Sequence, residues 1–186
     1  MNGIKRSYFR GWSGVLLIAI LTLPLCAQEV LDVSIGEMTH QAGTIFVGTV
    51  ISAESGIDAH GDIATWSTFR VDQPIKGAQP GEMRTVKQLG GSTPELTMEL
   101  DHMRYFEQGD RVLVLFYPES ELGFTSPIGL SQGVFDLHDD GMVSGLTPAA
   151  IAGIDAGTLA RYDLANGVPE KYPIDRLIAL VSELSK

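Results

Sequence analysis

The sequence predicts a mostly β fold: a small, strongly bent antiparallel barrel of five to seven strands, OB-like, with a short N-terminal helix and a C-terminal amphipathic helix. Three observations carry that expectation. Apolar, β-branched runs recur between glycine- and aspartate-marked breaks from Gly43 to Val143. No helical pattern is interleaved with them, as a parallel β-α-β sheet would require. Apolar residues at helical spacing are confined to the two margins of the chain beyond its N-terminal segment.

Taken in order, Leu31 to Gln41 places Leu31, Ile35 and Met38 at spacings of four and three, the pattern of a short helix lying across one end of a sheet. Gly43 to Ala53 is a strand, and the following loop to Asp62 holds Gly56, Asp58 and Gly61. Ile63 to Lys76 is a long second strand in partial alternation, stopped at Lys76-Gly77. Glu82 to Leu89 is a third, ended by the chain reversal Gly90-Gly91, and Ser92 to Met103, with Pro94, is irregular: a long loop or a poorly formed helix. The turn Gly109-Asp110-Arg111 launches Val112 to Tyr117, the most continuously apolar run after the N-terminal segment, which suits a strand buried on both faces. A turn at Pro118 to Gly123 separates it from a short strand, Phe124 to Ile128. Gln132 to Leu137 and Met142-Val143 flank Asp139-Asp140-Gly141, whose Asp-Gly pair marks a hairpin. In the last segment Ile174, Leu177, Ile178, Val181 and Leu184 form one apolar helical stripe over 174–185.

Residues 1–27 read as a secretory signal peptide. Lys5, Arg6 and Arg10 form a basic region, Val15 to Leu25 an apolar one and Cys26-Ala27 a small-residue end. The apolar run lasts about 11 residues and is broken by Thr22 and Pro24, against roughly 20 for a membrane-crossing helix. Cleavage after Ala27 leaves Gln28 first and places the protein in a secreted or periplasmic location. The alternative is lipid attachment at Cys26, although Leu25 stands where a lipoprotein site wants a small residue. The expected division is then 28–145 as the barrel domain and 146–186 as a C-terminal extension.

Without its three basic leader residues the chain's 13 Lys and Arg fall to 10 against 23 Asp and Glu, and the net charge moves from −10 to −13. Such a surface repels phosphate backbones, and no window clusters Lys or Arg with aromatics, so nucleic acid is excluded as an expected partner. Cys26 is the only cysteine. After cleavage neither a disulfide within the chain nor a thiolate metal site can form, and the fold must rest on its apolar core.

Between Ala42 and Leu137 the features fall in a particular order. Ile45-Phe46-Val47-Gly48-Thr49-Val50 comes first, then Phe69-x-Val71 leading into Ile75-Lys76-Gly77, a glycine-marked loop, and Gly109-x-x-Val112-Leu113-Val114. This order resembles the netrin-like domain of tissue inhibitors of metalloproteinases, and cysteine-free exported bacterial domains of the same pattern. The resemblance implies an OB-fold barrel. It does not extend to inhibition: those inhibitors chelate a protease zinc through a disulfide-bonded N-terminal cysteine, and here Gln28 would come first with no disulfide behind it.

No residue set in the sequence spells out catalysis or metal binding, and no cofactor is expected. His40, His60, His102 and His138 are dispersed, without the paired spacing beside a glutamate of a zinc-protease helix. Asp136, His138, Asp139 and Asp140 offer carboxylate oxygens for a hard cation, but a solvated hairpin turn explains them as well. Asp101-His102 suggests acid–base work but lacks an accompanying nucleophile elbow. Gly90-Gly91 is too sparse for a phosphate loop. Phe46, Phe69, Phe116 and Phe135 belong to the core, whereas Trp66 and Tyr117 fit either face. Because OB barrels bind over one sheet face and its bordering loops, Trp66 with His60 and Asp62 of the loop Glu54 to Asp62 forms the expected ligand-binding patch. The expected function is therefore an exported, non-catalytic binding or interaction module for an extracytoplasmic protein or polymer. An extracytoplasmic hydrolase using Asp101, His102 or the turn Asp136 to Asp140 is the alternative.

Overall fold

The computed structural model describes residues 31–186; the leader, the Cys26 site and Gln28 lie outside the described residues. Helix α1, Ile35–Gln41, starts at a capping box in which Ser34 Oγ accepts from the Glu37 amide at 3.3 Å while Glu37 Oε2 accepts from the Ser34 amide at 3.0 Å. Leu31, expected inside this helix, lies before the cap and is exposed, because the cap satisfies the helix's amides three residues later.

Nine strands follow: β1 Thr44–Ile57, β2 Ile63–Lys76, β3 Met83–Leu89, β4 Gly91–Ser92, β5 Thr97–Met98, β6 Arg111–Phe116, β7 Val134–Leu137, β8 Met142–Ser144 and β9 Tyr172–Pro173. Between β8 and β9 run a 3-10 turn, Ala149–Ile151, and α2, Ala156–Arg161; α3, Ile174–Leu184, ends the order. Seven strands form one antiparallel sheet in the order β3-β2-β1-β6-β7-β8-β9, and β4 and β5 make a separate ribbon.

The mostly β class, the bent antiparallel sheet and both marginal helices match the expectation; the sheet is open, its strand order not closing into a continuous barrel. Its edge strand β3 meets the far side only at an isolated parallel bridge, Lys87 to Phe124, with the Thr125 amide donating to the Lys87 carbonyl at 2.8 Å. The expected strand Phe124 to Ile128 is reduced to this bridge and an antiparallel one between Phe116 and Pro127. Pro127 has no amide to donate, which denies that segment a regular ladder.

The sheet curls because β1 is irregular. Its register against β2 shifts between Ile45 and Phe46, Val47 and Gly48, and Val50 and Ser52, and each bulge bends and twists the strand. At Gly48 a Cβ would stand 2.9 Å from both the Arg70 carbonyl oxygen and the Phe46 ring, so the bend needs a glycine there.

Curling divides the apolar residues into two cores that share β6. Inside the curl, Val112, Val114 and Phe116 meet Phe46, Val50, Phe69, Val71, Val86 and Phe106. The four rings at Phe46, Phe69, Phe106 and Phe116 have centroids 5.0 to 6.1 Å apart, mostly edge to face. On the other face Leu113 and Leu115 pack with Ile45, Phe135 and Val143 under α1 and α3. Residues 146–186 belong to this second core through Leu146, Leu164, Tyr172, Leu177 and Val181, and supply β9 to the sheet.

Candidate functional site

The hairpin joining β1 to β2 is organised by Asp58, a residue the sequence did not single out for this role. One carboxylate oxygen accepts the amides of His60 at 2.8 Å and Asp62 at 2.9 Å, the self-capping turn that short acidic side chains make. The other accepts Lys87 Nζ from β3 at 2.7 Å. Asp58's side chain is only 4% exposed, and the Lys87 hydrogen bond, helped by the two amides, holds its carboxyl down to about 2. Lys87 Nζ also donates to the Leu122 carbonyl at 3.2 Å and lies 3.8 Å from the centre of the Phe124 ring. One ammonium thus joins the hairpin, β3 and the segment after β6.

Trp66 stands half-buried on the outer face of β2, with Glu54 of β1 and Lys87 of β3 as its cross-strand neighbours. His60 and Asp62 are exposed at the hairpin tip and engage Asp58 through their backbone amides. The three residues expected to form a patch therefore flank one corner of the sheet, linked by Asp58 and Lys87.

Beside that corner lies an apolar groove of about 280 Å³ lined by Leu89, Leu100, Met103, Tyr117 and Phe124. One wall is Leu89, Leu100 and Met103, the residues flanking the β4–β5 ribbon, which replaces part of the irregular loop expected at Ser92 to Met103. Tyr105 pins it: the hydroxyl donates to the Leu89 carbonyl at 2.7 Å and accepts the Leu100 amide at 3.3 Å. Gly90 leads into the ribbon with φ 92°, and a Cβ there would come within 2.3 Å of that hydroxyl. The opposite wall is the turn after β6, closed by the Ser120 amide donating to the Phe124 carbonyl at 2.8 Å. Leu89 and Leu100 in the groove are 37% and 39% exposed, and Leu96 and Leu122, in the two segments that supply its lining, 59% and 52%. Glu95, Glu99, Asp101, Glu119 and Glu121 are exposed in these two chain segments, Glu99 and Asp101 flanking Leu100 and Glu119 following Pro118, and residues 88–103 and 117–126 contain no Lys or Arg. The alternation of Leu96, Met98 and Leu100 with polar residues was the available signal for the ribbon, a period of two interrupted too soon to stand out.

The acidic hairpin at the other end of the sheet is charge-paired. Asp136 lies 3.1 Å from Arg104, which also holds Asp110 at 2.9 Å. Asp139 lies 3.2 Å from Arg111, and Asp140 3.1 Å from Lys171, whose hydrogen bond lowers the Asp140 carboxyl. His138 Nε2 is 3.0 Å from Ser144 Oγ. Asp139 and Asp140 each have their own cation and Asp136 shares Arg104 with Asp110, so every carboxylate of the turn is ion-paired. Asp101 and His102 occupy an exposed turn, His102 at φ 64°, and among the described residues no hydrogen bond or ion pair joins them to Asp136, His138, Asp139 or Asp140. Also among the described residues, no three His, Cys, Asp or Glu side chains are grouped so as to hold a metal ion, and no helix is long and apolar enough to cross a membrane. No family model, no curated protein and no solved structure matches this chain.

Proposed function

We propose that this chain is an exported, non-catalytic binding module whose working surface is the corner built from the β1–β2 hairpin, the β4–β5 ribbon and the turn after β6. The observation that carries the proposal is the apolar groove. Its lining is held by Tyr105 and the Ser120 turn rather than left to collapse, yet Leu89 and Leu100 within it, and Leu96 and Leu122 in the flanking segments, remain in water. Exposed apolar patches with polar rims are characteristic of surfaces that meet a partner. Trp66, His60 and Asp62 border the same corner through Asp58 and Lys87, and the netrin-like resemblance fits a function carried by loops around a curled sheet. Export rests on the leader's residue order, with Gln28 as the new N-terminus.

The test compares the parent with a Leu96→Ser/Leu100→Ser variant as bait in the extracytoplasmic fraction of the producing cell. A partner retained by the parent and lost with the variant, at unchanged thermal stability, supports the module; equal retention overturns it. Ester, peptide or glycan hydrolysis by the parent, lost in Asp101→Asn or in His102→Asn, which tolerates the left-handed backbone, would replace the module with the hydrolase. Intact mass of the exported protein checks the leader, with a diacylglycerol adduct on Cys26 placing it at a membrane surface instead.

A further inference from the structure

The groove beside the ribbon combines an apolar floor with an acidic rim, and together these define what can occupy it. Its volume of about 280 Å³ falls just below the roughly 300–1,000 Å³ of pockets that engulf small molecules. It suits a few apolar side chains presented by a longer polymer. Five exposed carboxylates, at Glu95, Glu99, Asp101, Glu119 and Glu121, lie in the two chain segments that supply its lining, Glu99 and Asp101 on either side of Leu100 and Glu119 next to Pro118, with no Lys or Arg in either segment. Lys87, the cation that reaches the wall at Leu122 and Phe124, is already neutralised by Asp58 at 2.7 Å. A second copy of the chain, with a net charge of −10, would bring like charge against this rim.

Resting on the binding-module reading, we propose that the groove receives a cationic amphipathic segment of a partner polypeptide. Its apolar side chains seat among Leu89, Leu100, Tyr117 and Phe124, and its Lys or Arg side chains face the rim carboxylates. Seating supplies affinity through removal of apolar surface from water. The rim speeds encounter and rejects acidic partners, a contribution that weakens as salt shortens the screening length from about 10 Å at 0.1 M to about 3 Å at 1 M.

Fluorescence anisotropy of four short labelled peptides, alternating Leu/Lys, Leu/Ser, Leu/Glu and Ser/Lys, tests this against the full exported chain. The Leu/Lys peptide is expected to bind at least about tenfold more tightly than each of the others, a separation of about 1.4 kcal/mol, and to weaken as salt rises. Leu100→Ser should reduce its affinity about tenfold or more, a step of about 1.4 kcal/mol. Glu95→Gln with Glu99→Gln should flatten the salt dependence without lowering the melting temperature. Leu/Lys binding that survives Leu100→Ser is mere adsorption to an acidic surface and overturns the proposal. Leu/Ser or Leu/Glu binding as tight as Leu/Lys, and lost in Leu100→Ser, overturns the charge assignment while the module stands. Absence of binding by all four overturns the proposal, and the module reading falls with it only if the Leu96→Ser/Leu100→Ser bait also retains what the parent retains.

Discussion

Lys87 concentrates three contacts in one ammonium: the Asp58 carboxylate, the Leu122 carbonyl and the Phe124 ring. Such a group is sensitive to what happens to its anion. Asp58's folded pKa, about 2, lies below the ordinary value of 3.8. A depressed carboxyl contributes stability that is fully present above the unfolded pKa and is lost as pH falls through the folded one. Asp58→Asn removes the charge but keeps an acceptor for the His60 and Asp62 amides. The variant should melt below the parent at pH 5 to 7, and the gap should close between about pH 4 and pH 2. Thermal melts across that range check it, and a gap that persists unchanged at pH 2 would show that shape rather than charge holds the hairpin. A second residue-scale expectation concerns the tryptophan: because Trp66 is half-buried beside Lys87, its fluorescence should shift on binding at this corner. No shift with a bound Leu/Lys peptide would confine contact to the ribbon side.

Among the elements, β6 links both cores, since its alternate side chains enter different clusters and Val112 to Phe116 are all at most 1% exposed. Truncating a buried Leu or Phe removes transfer energy and leaves a cavity, so Leu113→Ala and Phe116→Ala should each cost about 2–5 kcal/mol. Denaturant titrations measure this, and two variants as stable as the parent would make β6 peripheral. This strand was legible in the sequence because a strand covered on both faces needs no alternation: an unbroken apolar run bounded by a turn is sufficient. Strand β2 was legible to the residue, as Ile63–Lys76, because its breaks are a Gly-Asp loop and Lys-Gly. Other elements were concealed by physical causes. Capping at Ser34 moved the start of α1 past Leu31, Pro127 prevented a regular strand at Phe124 to Ile128, and β4 and β5, of two residues each, are too short to show a period. The groove escaped notice because its lining joins Leu89, Leu100 and Met103 to residues 117–126, a meeting of separate segments that no local pattern encodes.

At the scale of the whole molecule, the chain after β8 completes the core under the sheet. Leu146, Leu164, Tyr172, Leu177, Ile178, Leu180 and Val181 are buried against Ile45, Leu113, Leu115 and Phe135. Arg161 and the Tyr162 hydroxyl both reach Glu183, at 2.7 Å and 2.9 Å, tying α2 to α3. Burying a large apolar side chain contributes about 1.5–3 kcal/mol, an upper figure since unfolded chains already hide some surface. Seven of them are comparable to the entire net stability of a domain, about 5–15 kcal/mol. Residues 31–145 alone would also leave β8 without β9 and the sheet's second face without α3. That fragment should therefore fail to fold cooperatively, and show exposed apolar surface by dye binding where the full chain shows little. Adding residues 146–186 in trans should restore a sharp melting transition, because the missing face is contributed by one contiguous stretch. A 31–145 fragment that melts cooperatively near the parent's temperature would make the inner core of phenylalanines sufficient by itself, and would reduce the C-terminal stretch to a cover laid over a finished domain.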